Sequence, residues 1–579
     1  MVRELQDYLK KVTRKEWFLD KTADQKFGDY SSNVALKLAR EQGKPPYEIA
    51  KELALEISRK DTEKVFERVE AAPPGFVNFW VVREFLIGRL SKIVSPASRV
   101  RNDGGGAGIA GKGKINLEFI SANPTGPLTM ANGRGGFLGN VLSNVLENAG
   151  YKVVCEYYIN DAGVQIKKLG ASALATLGLI EPSEEHYRGA YVAELAEKYK
   201  TKILKLYKGE IATLKTPRPP AGDLPKGDND GIEEGKMTEE IGRLLAKDLL
   251  AQIKKSVKAA GINFDKWFSE NNGLRKKGAL QKTLEVLRSR GMVYEKDGAT
   301  WLKTQSGESE KLNATSNTKE REGEDDKDRV LIKSDGEPTY FLSDLAYHYD
   351  KLVLREFDKA FVIWGADHHG YVPRLKAGMA ALGIDPARFD AIIVQLVRLV
   401  RGGEEVRMSK RKGEFITLND LIKDVGRDAA RFFFLMYSPD THMDFDLDLA
   451  KEKSLKNPVY YVQYAYVRCK SILVKAKSEK RQAQIKDLGI LNTESDLSLI
   501  KKLTQFSDVM RETAHDFQVN RLTRYAMELA RTVHNFYEKE RVIVEDKKIM
   551  MGRLALISIA KTVFERLFKI IGISSPKKM

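Results

Sequence analysis

Three clusters in the sequence hold residues suited to phosphates and cations. The first runs Glu118-Phe119-Ile120-Ser121-Ala122-Asn123-Pro124-Thr125-Gly126-Pro127-Leu128-Thr129-Met130-Ala131-Asn132-Gly133. It places a carboxylate, a hydroxyl and amides between an apolar run and apolar residues at helical spacing. A helix starting near Asn132 and Gly133 presents free backbone N–H groups that suit an anionic phosphate. The second cluster is Gly365-Ala366-Asp367-His368-His369-Gly370, directly after the apolar Phe361–Trp364. The third is Arg407-Met408-Ser409-Lys410-Arg411-Lys412-Gly413, four cations in a glycine-bearing loop. Tyr340 and Asp344 stand four apart at a helix start, a spacing that shares one face.

These clusters need elements to position them. Ile115–Ile120 reads as a buried parallel strand. Asn123 to Pro127 break it, and Phe137, Leu138, Val141, Leu142, Val145 and Leu146 resume as a helix that stops at Gly150. Tyr151–Ile159 is a second strand, ending in Asn160-Asp161-Ala162-Gly163-Val164-Gln165. Val330–Lys333 and Thr339–Phe341, around a turn, predict a hairpin, followed by a helix from Asp344. Phe361–Trp364 and Ala391–Val400 are further strands. Alternating strands and helices predict an α/β fold with a doubly wound parallel sheet, in which ligands sit beyond the strands' carboxyl ends. Residues 1–105 read as a small α+β module, 106–415 as the sheet domain with a mostly helical insertion at about 166–300, and 416–579 as all helical. Polar, glycine- or proline-rich stretches at 101–113, 215–235 and 304–327 read as linker and surface loops.

Composition narrows the class. A net charge of +17 and a pI near 9.3 favour a polyanionic partner, nucleic acid first. The two cysteines, Cys155 and Cys469, exclude a disulfide framework and a four-cysteine zinc site, which fits a reducing cytoplasm. The opening residues lack an apolar signal core, and no apolar run is long enough to span a membrane.

The first cluster resembles the active-site strand of arginyl-tRNA synthetases, a class I family. Phe27-Gly28-Asp29-Tyr30, Pro74-Gly75-Phe76-Val77-Asn78, Gly261-Ile262-Asn263-Phe264-Asp265-Lys266-Trp267 and Asp424-Val425-Gly426-Arg427 resemble the same family. Arg407-Met408-Ser409-Lys410-Arg411 is close to its Lys-Met-Ser-Lys-Ser signature. The resemblance covers essentially the whole chain. It implies a Rossmann-type catalytic sheet, an amino-terminal added domain that contacts tRNA and a helical anticodon-binding domain. The implied reaction joins L-arginine to tRNA(Arg) through an arginyl-adenylate. ATP with Mg²⁺ is the implied cofactor, and a cytoplasmic monomer is expected.

The resemblance also distributes roles. Lys410 and Lys412 would stabilise the transferring phosphate. Thr129, Asn132, Gly133, Gly365, Asp367, His368, His369, Met408 and Ser409 would surround ATP. Glu118, Ser121, Asn123, Asn160, Asp161, Gln165, Tyr340 and Asp344 would hold arginine, whose guanidinium needs carboxylate oxygens. Tyr460, Tyr464 and Arg468 would meet tRNA. Simpler readings compete: Asp344 as a helix cap, Asn160 to Gln165 as a capped turn, and the tyrosines as core. Glu118 has no such simple reading, because an unpaired carboxylate in a buried strand is costly. The family has histidine where Thr129 stands and glycine where Ala131 stands. Thr129 keeps a hydroxyl but no charge, so slower activation is expected, on the order of 10²-fold per lost contact. Two other readings follow: a synthetase-like tRNA-binding protein with lost activation, and, from Asp367-His368-His369, a metal-dependent phosphoesterase.

Overall fold

The computed structural model describes residues 1–22, 24–94, 113–214, 230–303, 327–406, 416–478 and 484–579. Its contacts gather into two compact units, Asp103–Glu452 and Met1–Asn102 together with Lys453–Met579. The linker, most of the 215–235 break, nearly all of the 304–327 stretch and the Arg407–Lys412 loop lie outside the described residues.

The first unit is built on β1 Lys114–Glu118, α1 Met130–Asn148, β2 Lys152–Ile159, β3 Lys266–Ser269, α2 Tyr340–Tyr349, β4 Lys359–Gly365, α3 Tyr371–Ala381 and β5 Phe389–Val394. The five strands form one sheet in the order β5-β4-β1-β2-β3, and every pairing is parallel. Ile115 and Leu117 are buried on one face of β1, and α1 covers the sheet with Phe137, Val141, Leu142 and Val145, all buried. Gly139 permits this approach, because a Cβ there would overlap the Phe119 ring. Between β1 and β4 the chain direction of the winding reverses, the place where such sheets bind ligands.

Several elements differ from the sequence expectation. α1 begins at Met130 rather than near Asn132, and the Met130 N–H is spent on the Ile416 carbonyl at 3.0 Å. The predicted 330–341 hairpin is reduced to a bridge between Ile332 and Pro338. Arg329–Ile332 pairs instead with Ala299–Leu302 in a three-stranded antiparallel sheet. Thr339 caps α2 by accepting from the Leu342 N–H, so Asp344 stands one turn inside the helix and is not its cap. The predicted strand 391–400 is two strands: β5 ends at Val394, and Val397–Arg401 pairs with Met443–Asp446 in another sheet. Residues 416–452 group with the parallel sheet in the first unit. Lys266–Ser269, inside the presumed insertion, is an edge strand of the main sheet.

The second unit joins an antiparallel sheet, in which Phe76–Val81 lies between Tyr30–Ser32 and Phe66–Ala72, to the helices Pro458–Ser478, Glu494–Thr504, Asn520–Lys539 and Lys547–Ile571. Lys501 pairs with Asp29 at 2.6 Å, and Arg83 donates to the Leu491 carbonyl at 2.9 Å. Among the described residues no helix is long and apolar enough to cross a membrane.

Candidate active site

A cleft of about 1310 Å³ opens beyond the carboxyl ends of β1 and β4. One wall is the segment after β1, including Ser121, Asn123, Thr129 and Asn132; another is the turn after β4, with Gly365, Asp367 and His368. The third is α2, which contributes Tyr340, Asp344, Tyr347 and His348. Immediately after β1, Ile120 and Ser121 have φ of 66° and 40°. Two successive left-handed residues, one of them β-branched, store strain that clusters at functional sites.

Asp344 is the carboxylate that α2 places on the cleft wall. Its Oδ2 accepts from the Tyr371 hydroxyl at 2.5 Å, and among the described residues no ion pair to it is formed. Burial pushes its pKa up to about 7, with Glu118 and Glu270 adding to the rise and Tyr371 and Lys351 opposing it. Tyr340, 55% exposed, stands one turn earlier on the same wall.

Glu118 is not alone in its strand, as the sequence had suggested. Its Oε2 accepts from the fully buried Lys351 at 2.5 Å, and its Oε1 accepts from Ser121 Oγ at 2.9 Å. Ser121 Oγ in turn accepts from the Tyr158 N–H at 3.0 Å, so this hydroxyl braces the strand end. Asn123 is exposed on the cleft wall. Asn160 also lines the cleft; with its amide turned over, so that nitrogen and oxygen exchange places, the nitrogen donates to Glu270 at 3.3 Å and to the Ala162 carbonyl at 3.0 Å. Asp161 faces the β3 end, where it accepts from Ser269 Oγ at 2.6 Å and the Asn271 N–H at 2.9 Å. Gln165 accepts from the Tyr187 hydroxyl; neither Asp161 nor Gln165 is part of the cleft wall.

On the nucleotide side, Thr129 Oγ1 donates to Asn132 Oδ1 at 3.0 Å, and the Thr129 N–H donates to the same oxygen at 2.9 Å. Gly133 is buried against Leu418, whose Cδ1 would stand 2.8 Å from an added Cβ. Ala131 is exposed, away from the cleft wall. His368 lines the cleft beside Trp364, with ring centres 5.4 Å apart, while His369 is exposed outside it. Met408, Ser409, Lys410 and Lys412 lie outside the described residues. Among the described residues no group of three His, Cys, Asp or Glu side chains is placed to hold a metal ion.

Comparison with known proteins decides the family. The profile described as "tRNA synthetases class I (R), catalytic domain" matches residues 100–436, more than half the chain. The chain belongs to the arginyl-tRNA synthetase family. Profiles of the arginyl-tRNA synthetase N-terminal domain and the DALR anticodon-binding domain match residues 2–81 and 462–579 of this synthetase. Arginine–tRNA ligases of Carboxydothermus hydrogenoformans and Caldanaerobacter subterraneus subsp. tengcongensis are 39% and 40% identical to it. Each alignment covers 97% of this chain, and 94% and 93% of those proteins. The solved arginyl-tRNA synthetase of Thermus thermophilus shares its fold at a TM-score of 0.74, with 19% identity and all of both chains covered. Membership replaces the phosphoesterase reading of Asp367-His368-His369.

The synthetase has site features that sequence reasoning missed. Glu270, 1% exposed, is held by Arg275 at 2.9 and 2.8 Å just before a single π-helical turn, Asn271–Arg275. Lys351 lies in a second such turn, Asp350–Leu354, continuing α2. Tyr371, which donates to Asp344, was given no role by the sequence. In the helical domain, Tyr464 stacks on His534 with centres 5.7 Å apart, and the Arg468 guanidinium lies 3.9 Å from the Tyr537 ring centre. Tyr460 is half-buried on the same helix.

Proposed function

We propose that this cleft activates L-arginine and that Asp344 is the acceptor of its guanidinium. The chain is an arginine–tRNA ligase: it converts ATP, L-arginine and tRNA(Arg) to arginyl-tRNA(Arg), AMP and diphosphate through an arginyl-adenylate. The observation that supports Asp344 is its isolation. On the cleft wall Glu118 is matched by Lys351, and Asp367 stands beside His368 in the turn after β4, which leaves Asp344 as the carboxylate on the α2 wall for a donor-only cation. Tyr340 covers the guanidinium from the same helix, and Asn123 and Asn160 meet the amino-acid end. ATP enters with its Mg²⁺ against Thr129, Asn132, Gly365, Asp367 and His368. The arginine carboxylate attacks the α-phosphate, and Lys410 and Lys412 carry the charge that develops there. Tyr460, Tyr464 and Arg468 contribute stacking and phosphate contacts to tRNA. Two buried, unpaired cysteines suit a cytoplasmic enzyme, and we expect a monomer.

The test is ATP–pyrophosphate exchange with arginine, with and without tRNA, on the wild type, Asp344→Asn and Thr129→His. Arginine-dependent exchange is expected in the wild type, faster in Thr129→His. Asp344→Asn is expected to raise KM for arginine on the order of 10²-fold, the loss of a charged hydrogen bond, with KM for ATP nearly unchanged. An Asp344→Asn enzyme with normal arginine KM overturns the assignment. Exchange seen only in Thr129→His identifies a chain that binds tRNA but has lost activation.

A further inference from the structure

Glu118 and Glu156 are register partners on adjacent strands, and they are 6% and 0% exposed. Two carboxylates side by side on one face repel, and each is costly to bury unpaired. The helix above supplies the compensation. Lys351 donates to Glu118 at 2.5 Å, with its ammonium 4.0 Å from the Tyr347 ring centre. Arg355 forks onto Glu156 at 2.5 and 2.9 Å, and the Tyr347 hydroxyl donates to the same carboxylate at 2.5 Å. The charged and titratable groups acting on Asp344 are therefore Tyr371, Glu118, Glu270 and Lys351, joined by Tyr158 and by His348, whose Nδ1 donates to the Asp344 carbonyl at 2.9 Å. Burial holds His348 well below its ordinary value, so it faces Asp344 uncharged.

We propose that Lys351 is a positioning residue that sets the charge capacity of the amino-acid pocket. By cancelling Glu118 it leaves Asp344 as the carboxylate beside it to be matched, and this end of the pocket accepts one guanidinium. Lys351 does not touch the substrate; it acts through Glu118 and through the field at Asp344. This rests on the reading of Asp344 as the guanidinium acceptor.

The experiment is the pH profile of kcat/KM for arginine, measured by pyrophosphate exchange with full-length enzyme and tRNA. The variants are Lys351→Met, Lys351→Arg and the double variant Glu118→Gln/Lys351→Met. Wild type is expected to gain activity as pH rises through about 7. Lys351→Met leaves two uncompensated carboxylates together, so its midpoint is expected to move up by roughly one pH unit. That is about a fivefold loss at about pH 7, approaching tenfold at lower pH, carried by arginine KM with ATP KM unchanged. Lys351→Arg restores the charge and is expected to keep the wild-type midpoint. The double variant removes both charges and is expected to return to it. A folded Lys351→Met enzyme with an unmoved midpoint overturns the proposal, as does a displaced midpoint in the double variant. Should Lys351→Met not fold alone, the double variant decides on the same readout. A wild type with no rise near neutrality sinks the Asp344 reading instead.

Discussion

At the scale of single residues, Asp344, the proposed guanidinium acceptor, has a pH signature. Its folded pKa of about 7 lies above the ordinary carboxyl value, so the folded state holds a proton that the unfolded chain has released. Its contribution therefore weakens the fold as pH rises from about 4 to about 7. Arginine binding works in the opposite direction, because only the ionised form accepts the guanidinium as a charge partner. We expect arginine Kd, measured by calorimetry, to rise about tenfold for each pH unit below 7, and bound arginine to release a proton near neutrality. A Kd flat between about pH 5 and 8 would contradict this. The rest of the site was only half legible at this scale. Asp344 and Tyr340 were named through the family resemblance, their spacing indicating only a shared face, and Thr339, not Asp344, is the cap. The partner of Glu118 was not legible, since Lys351 lies 233 positions away and nothing local marks the pair.

At the scale of elements, α1 is fixed by more than its apolar face. Arg134, 2% exposed, donates to the carbonyls of Gln395 and Leu396 at 2.8 and 3.3 Å and of Ser438 and Thr441 at 2.8 and 2.6 Å. Burial lowers its pKa to about 10. One side chain thus joins α1 to the break after β5 and to the turn before Met443–Asp446. Arg134→Met leaves these carbonyls without their donor, and we expect a loss on the order of 3 kcal/mol in denaturant unfolding. A change under about 0.5 kcal/mol, the level of an ordinary surface substitution, would show that the clamp is dispensable. This junction explains what was hard to read. β1, β2 and β4 announce themselves as apolar runs closed by turn residues. The run Ala391–Val400 has no glycine or proline at its break, so its division between two sheets is imposed by distant contacts. β3 is only four residues, Lys-Trp-Phe-Ser, too short to show a period.

At the scale of the whole molecule, the charge of +17 anticipates its polyanionic substrate. Binding of tRNA, followed by filter retention, is expected to weaken linearly in log salt. With roughly 6–10 phosphate contacts the loss is on the order of 10³-fold or more between about 50 and 200 mM. A slope near zero would mean that the basic surface does not carry the affinity.

The balance among Glu118, Lys351, Glu156 and Arg355 also has a historical side. A neutral residue arriving alone at 118 or 351 strands a buried charge, whereas a paired exchange does not. Intermediates with one half of a pair are disfavoured, so exchanges at these four sites are expected to come two at a time.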